Sequence, residues 1–144
     1  MQLAAAPAGV PPATRLRGWA RAALGAVAGA ELSLRVVGAR EGRRLNRDFR
    51  ARDYSTNVLT FDYGSSPPRG DIVLCKPVIE REARAQGKSL AAHYAHLVVH
   101  GVLHLRGFDH ERPRRAAKME GVERRILRKL GYDDPYVVND TRAR

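Results

Sequence analysis

The chain has 144 residues, 44% of them hydrophobic, and a formal net charge of +11. That length suits one domain with its own core, and a single cysteine, Cys75, excludes both a disulfide framework and a cysteine-based zinc finger and fits a reducing cytoplasm. No apolar run is long enough to span a membrane, and Arg15, Arg17 and Arg21 follow the apolar N-terminal segment where a secretory signal would place its charges ahead.

Residues 1–12 are rich in Ala and Pro and read as irregular, with the end of a short strand at Gln2 to Ala5. Ala13 to Ala28 carries helical spacing through Leu16, Trp19, Ala20, Ala23 and Leu24. Glu31 to Val37 alternates, with Leu32, Leu34 and Val36 on one face, and reads as a strand. Arg40 to Arg50 reads as a helix anchored by Leu45 and Phe49, and Asn57 to Tyr63 as a second strand. Gly64 to Gly70, with two prolines, is a turn or hairpin connection, and Asp71 to Cys75 a short central strand.

Pro77 opens a helix at its favoured first position and Gly87 ends it. Ser89 is placed to cap a helix that is apolar almost all round. The last helix spans Pro113 to Leu130, with Ala117, Val122, Ile126 and Leu130 expected inward, and residues 139–144 form a frayed tail. No repeat or linker divides the chain. The expectation is a single α+β domain over residues 1–144: one small mixed β-sheet covered by about five helices, with a metal site at the C-terminal end of the buried central helix.

That site is expected from His100-Gly-Val-Leu-His104-Leu-Arg-Gly107-Phe-Asp-His110, three histidines spaced H-x3-H-x5-H. On a helix, positions i and i+4 lie on one face about 6 Å apart along the axis, so His100 and His104 aim two imidazoles at one point. Gly107 suits a left-handed helix end, after which the chain returns His110 to the same point. Three imidazoles with no fourth protein ligand describe a catalytic zinc site, whose open position holds water, and exclude the closed four-ligand structural type. One Zn2+ per chain is expected, although imidazoles also suit nickel, iron or cobalt. His96 shares the ligand face but reads as a satisfied or partly exposed histidine.

The ligand spacing equals that of the metzincin proteases, H-E-x-x-H-x-x-G-x-x-H. Where those enzymes carry the glutamate that acts as general base, this chain has Gly101, and Glu111 is the only glutamate adjacent to the motif. The charge points elsewhere. Arginines cluster through Arg35, Arg40, Arg43, Arg44, Arg47, Arg50 and Arg52, and again at Arg112, Arg114, Arg115, Arg124, Arg125 and Arg128. Such a field favours polyanions, and arginine suits bidentate phosphate contact.

Beyond the histidines, Leu45-Asn-Arg-Asp-Phe-Arg50-Ala-Arg-Asp53-Tyr-Ser-Thr56-Asn57-Val-Leu-Thr-Phe61 is followed by Gly70-Asp71-Ile-Val-Leu-Cys75, Met119-Glu120 and Leu130-Gly131-Tyr132. Together these motifs, over roughly residues 31 to 137, resemble the YbeY family of bacterial endoribonucleases, the rRNA maturation factors. The resemblance implies a single α+β domain holding one zinc through His100, His104 and His110. It also implies cytoplasmic, single-strand-specific RNA cleavage in maturing the 3′ end of small-subunit rRNA and in ribosome quality control.

By position, Arg50 is the functionally important arginine of the aromatic-Arg pair, a candidate to stabilise charge on phosphoryl oxygens. The family's association with ribosomal small-subunit components and an Era-type GTPase makes these, with single-stranded rRNA, the expected partners; no membrane is expected. Asp109, next to His110, is a candidate to orient a ligand imidazole or to cap the turn. Arg47, Arg52, Arg112, Arg114 and Arg115 are candidates for nucleic-acid contact.

The chain departs from the family pattern in a short region ahead of the first helix and in the basic run Arg112-Pro-Arg-Arg115, where the family often carries acidic residues. Two other readings compete: a metal-dependent protease or amidohydrolase, and a non-catalytic ribosome-associated protein with structural zinc.

Overall fold

The computed structural model describes residues 2–3, 9–50, 56–108 and 112–136. In chain order the elements are β1 (Gln2–Leu3), α1 (Ala13–Leu24), β2 (Glu31–Val37), α2 (Ala39–Arg50), β3 (Val58–Ser65), β4 (Pro68–Cys75), α3 (Lys76–Gln86), α4 (Leu90–Leu105) and α5 (Pro113–Lys129). The sheet is four-stranded and mixed, in the order β1-β2-β4-β3. β2 pairs in parallel with β1 and β4, whereas β3 and β4 form an antiparallel hairpin. An α+β fold with one small mixed sheet is therefore observed, with five helices among the described residues.

The two sheet faces follow from the period-2 alternation. Leu32, Leu34 and Val36 of β2, with Ile72 and Leu74 of β4, enter the main core beneath α1 and α4. The opposite face buries Val37, Leu59, Val73 and Cys75 against Val78 and the half-buried Leu45. Cys75 is a small core residue at the end of a strand, not a reactive thiol.

The expected turn at Gly64 to Gly70 is tighter than its composition suggests. Strand pairing continues to Ser65↔Pro68, absorbed by a bulge between Asp62 and Gly64, and only Ser66 and Pro67 form the tip. Pro68 fits because it is the first residue of its strand.

One inward assignment on α5 is corrected. Its fully buried residues are Met119, Glu123 and Leu127; Ala117 is exposed, and Val122, Ile126 and Leu130 are only partly buried. These three buried positions are an i, i+4, i+8 stripe with a glutamate at its centre. Apolarity alone misplaces the stripe, because Glu123 turns inward only when donors from other elements meet it.

Candidate metal centre

α4 is the scaffold of the site. Ser89 caps it, its hydroxyl accepting from the Ala92 N–H at 3.1 Å. Ten of its residues are buried, so the helix runs through the core and its register is fixed on all sides. At the other end Gly107 has φ of +99°, and the chain closes through Gly107 N–H to His104 O and Phe108 N–H to Leu103 O, both 3.0 Å. The helix thus stops at Leu105, directly after His104, as the glycine position suggests.

His93, His96, His100 and His104 lie along this helix. His96 and His100 stack edge to face with ring centroids 6.2 Å apart. Opposite them stands Glu123 from α5, fully buried. Its Oε1 lies 3.0 Å from His100 Nδ1, and its Oε2 lies 2.9 Å from His96 Nε2 and 2.7 Å from the Tyr136 hydroxyl. The ligand atoms of His96, His100 and Glu123 all lie within 4.8 Å of one another, a group that could bind a metal ion.

Burial alone would push the Glu123 carboxyl up. Hydrogen bonds from His100 and His96, the electrostatic pull of the His100 ring, and the Tyr136 hydroxyl outweigh it and hold the pKa at about 2. An ionised carboxylate only accepts hydrogen bonds. His100 therefore presents Nδ1–H and His96 Nε2–H to Glu123, which leaves the Nε2 lone pair of His100 directed away from the carboxylate. A histidine whose Nδ1–H is held by a carboxylate in this way fits a metal ligand through Nε2. The Tyr136 hydroxyl is pushed up by burial and by the hydrogen bond to Glu123, so it remains a proton donor.

A separate polar chain anchors the start of β3. Asn57 donates through Nδ2 to Glu82 Oε1 at 3.0 Å, and His93 Nε2 meets the same oxygen at 2.9 Å. Burial lowers the His93 pKa although Glu82 opposes it, so this imidazole stays neutral at physiological pH. His93 is a core histidine paired through Nε2, whereas its buried Nδ1 has no hydrogen-bond partner among the described residues. His96 is likewise paired only through Nε2, by the carboxylate that meets His100.

Gly101 has its own reason. A Cβ built there would stand 3.2 Å from Ile72 Cγ2 and 3.4 Å from Thr60 Cγ2, so position 101 is a point of close approach between α4 and the sheet. A glutamate would enter an apolar contact. Nor is Glu111 the only relevant glutamate: Glu123 reaches His100. With both its oxygens taken by three donors in a fully buried site, Glu123 is no general base, and the protease reading loses its second source of one.

Of the other expected site residues, His104 is half-buried in the last turn of α4, one turn beyond His100. His110 and Asp109 fall outside the described residues, as does Arg52, and Arg50 closes α2 with its side chain outside them too. Arg47 is exposed on α2 beside Asp48, at 3.3 Å. Arg112, Arg114 and Arg115 are exposed at the N-terminal end of α5. Met119 is core. Asp71, with Ser33 and Tyr63 as donors, lines a groove of about 380 Å³ that contains none of the histidines.

These features have close relatives. Residues 13–131 match the family model described as Endoribonuclease YbeY. A protein named Endoribonuclease YbeY from Aromatoleum aromaticum is 58% identical over 127 residues, covering 88% of this chain and 81% of that protein. One of the same name from Alkalilimnicola ehrlichii is 54% identical over 143 residues, covering 92% and 86%. A solution structure of a Thermotoga maritima protein shares the fold, with a TM-score of 0.63 at 22% identity over 94% of this chain and 97% of that one. With the family model spanning α1 through the end of α5, and relatives aligned along most of its length, the chain belongs to the YbeY family.

Proposed function

We propose that this chain is a single-domain, zinc-dependent endoribonuclease that cleaves single-stranded RNA, with His100, His104 and His110 holding one Zn2+. The observation that carries this reading is the pairing of His100 Nδ1 with the buried Glu123, one helical turn from His104, which holds the ring in the Nδ1–H form of a ligand histidine. When bound, zinc supplies Lewis acidity and lowers the pKa of a ligated water towards about 7. Family membership supports RNA as the substrate, and the charge of +11 suits a polyanion.

The rest of the chemistry belongs to the chain's own residues. Arg50, permanently charged and forked, stabilises the negative charge that builds on phosphoryl oxygens. Arg47, Arg52, Arg112, Arg114 and Arg115 hold the RNA backbone. Asp109 orients the His110 imidazole. The resemblance supports a cytoplasmic place in maturing the 3′ end of small-subunit rRNA, with small-subunit components and an Era-type GTPase as partners; no helix among the described residues is long and apolar enough to cross a membrane.

The test is cleavage of single-stranded and duplex RNA by the chain as purified, after chelation, and after zinc is restored. Loss and recovery of cleavage on single strands alone supports the reading. Cleavage indifferent to chelation overturns it. Arg50→Ala should lower turnover by about 10²-fold or more with zinc content unchanged; loss of zinc in that variant would remove Arg50 from the phosphoryl role.

A further inference from the structure

We infer that Glu123 is a positioning residue for the metal centre: with Tyr136 and His96 it forms a buried shelf that fixes which nitrogen of His100 meets the metal. This rests on the proposed ligand set of His100, His104 and His110. The alternative is that Glu123 is itself a ligand, together with His96 and His100, since these atoms cluster within 4.8 Å.

The distances favour the shelf. Tetrahedral ligands bound about 2.0–2.1 Å from zinc stand about 3.3 Å apart. Glu123 lies 3.0 Å from His100 Nδ1 and 2.9 Å from His96 Nε2, hydrogen-bond contacts in which a proton, not a metal ion, separates the atoms. The Tyr136 hydroxyl occupies Oε2 as well, at 2.7 Å. A direct site would take His100 through Nδ1, the nitrogen that meets Glu123, whereas the shelf leaves Nε2 as the ligand atom.

The three donors also explain how a fully buried carboxylate is tolerated. A buried charge is costly unless hydrogen bonds satisfy its lone pairs. His96 and Tyr136 serve Oε2, which leaves Oε1 committed to His100 and fixes the carboxylate's orientation. Tyr136 is placed by its own backbone, its N–H donating to Asp134 Oδ1 at 2.8 Å, and by the Arg124 guanidinium 5.3 Å from its ring centroid. Tyr136, beyond α5, thus reaches the candidate ligand His100 through two hydrogen bonds, its own to Glu123 and that between Glu123 and His100.

The experiment uses zinc-loaded full chain. Proton–nitrogen correlation spectra of the histidine rings report which nitrogen of His100 carries the proton; Nδ1–H is expected, and Nε2–H would overturn the inference. In parallel, zinc affinity is measured by competition with a chromophoric chelator for wild type, Glu123→Gln, Glu123→Ala and His104→Ala. Glu123→Ala should retain one zinc per chain but bind it about 10–100-fold more weakly, with Glu123→Gln between it and wild type. Unchanged affinity in both Glu123 variants overturns the shelf while leaving the histidine ligands standing. Complete loss of zinc in the Glu123 variants, with His104→Ala still loaded, overturns both and makes Glu123 a ligand. The wild-type spectra decide the matter even where a variant fails to fold.

Discussion

Glu123 and His100 are joined by a 3.0 Å hydrogen bond between α5 and α4, buried on the carboxylate side and half-open on the histidine side. The pair ties a core carboxylate to an imidazole whose other nitrogen faces away from it. Its consequences reach both stability and chemistry.

The first is a pH dependence. The Glu123 carboxyl sits at about 2 in the folded chain, below its ordinary 4.5. A depressed acid contributes stability above its unfolded pKa and loses it as pH falls towards the folded value. In chelator, the stabilisation of about 3 kcal/mol from this shift is present above pH 4.5 and disappears between about pH 4.5 and 2. Urea midpoints across that window should fall less in Glu123→Gln than in wild type; equal slopes would contradict the assignment.

Gly101 yields a second prediction. Gly101→Glu recreates the protease spacing H-E-x-x-H, yet it drives a carboxylate into the contact with Ile72 and Thr60. Overpacking and an unpaired buried charge together cost at least about 3 kcal/mol. The variant should melt well below wild type and gain no peptidase activity. A variant of wild-type stability would show that position 101 does not face the sheet.

The Ser89 cap is a local test of α4. Ser89→Ala removes the acceptor for the Ala92 N–H, at a cost of about 1 kcal/mol or about 2–4 °C in Tm. Zinc affinity should be unchanged, since the ligand residues lie near the other end of the helix. Weaker zinc binding would mean that fraying of the first turn reaches the site.

Arg112, Arg114 and Arg115, exposed at the start of α5, carry the fourth prediction. Replacing all three by Ala should weaken binding to single-stranded RNA. The slope of log affinity against log salt should also fall, by about 0.7 for each phosphate that the variant no longer neutralises. An unchanged slope would remove this cluster from the RNA interface.

How far the site is legible from sequence follows from the range of the interactions that build it. His100, His104, Ser89 and Gly107 act within one helix and its ends, so spacing and cap chemistry locate them. Glu123 cannot be read the same way. Its burial depends on His96 and His100 from α4 and on Tyr136 beyond α5, none of which the periodicity of α5 reports. The signal is present in another form: Met119, Glu123 and Leu127 share one face at i+4 spacing, and a charged residue flanked on its face by two core positions is a candidate for a buried, partnered group. His96 shows the same limit, because spacing within α4 suggests a satisfied histidine but not that it shares one carboxylate with a candidate ligand. Gly and Pro place the hairpin tip too broadly because they mark a turn's neighbourhood, whereas pairing between β3 and β4 sets its edges.

The central claim is that the imidazoles of α4 hold a metal ion used to cleave RNA. Its most direct test is the cleavage of a single-stranded, rRNA-derived substrate by wild type and by His104→Ala purified in parallel, with zinc quantified in each. The account predicts cleavage by wild type alone, with the variant short of zinc and inactive. Equal cleavage by both would assign the activity to a contaminating nuclease, and a zinc-loaded but inactive wild type would make the metal structural.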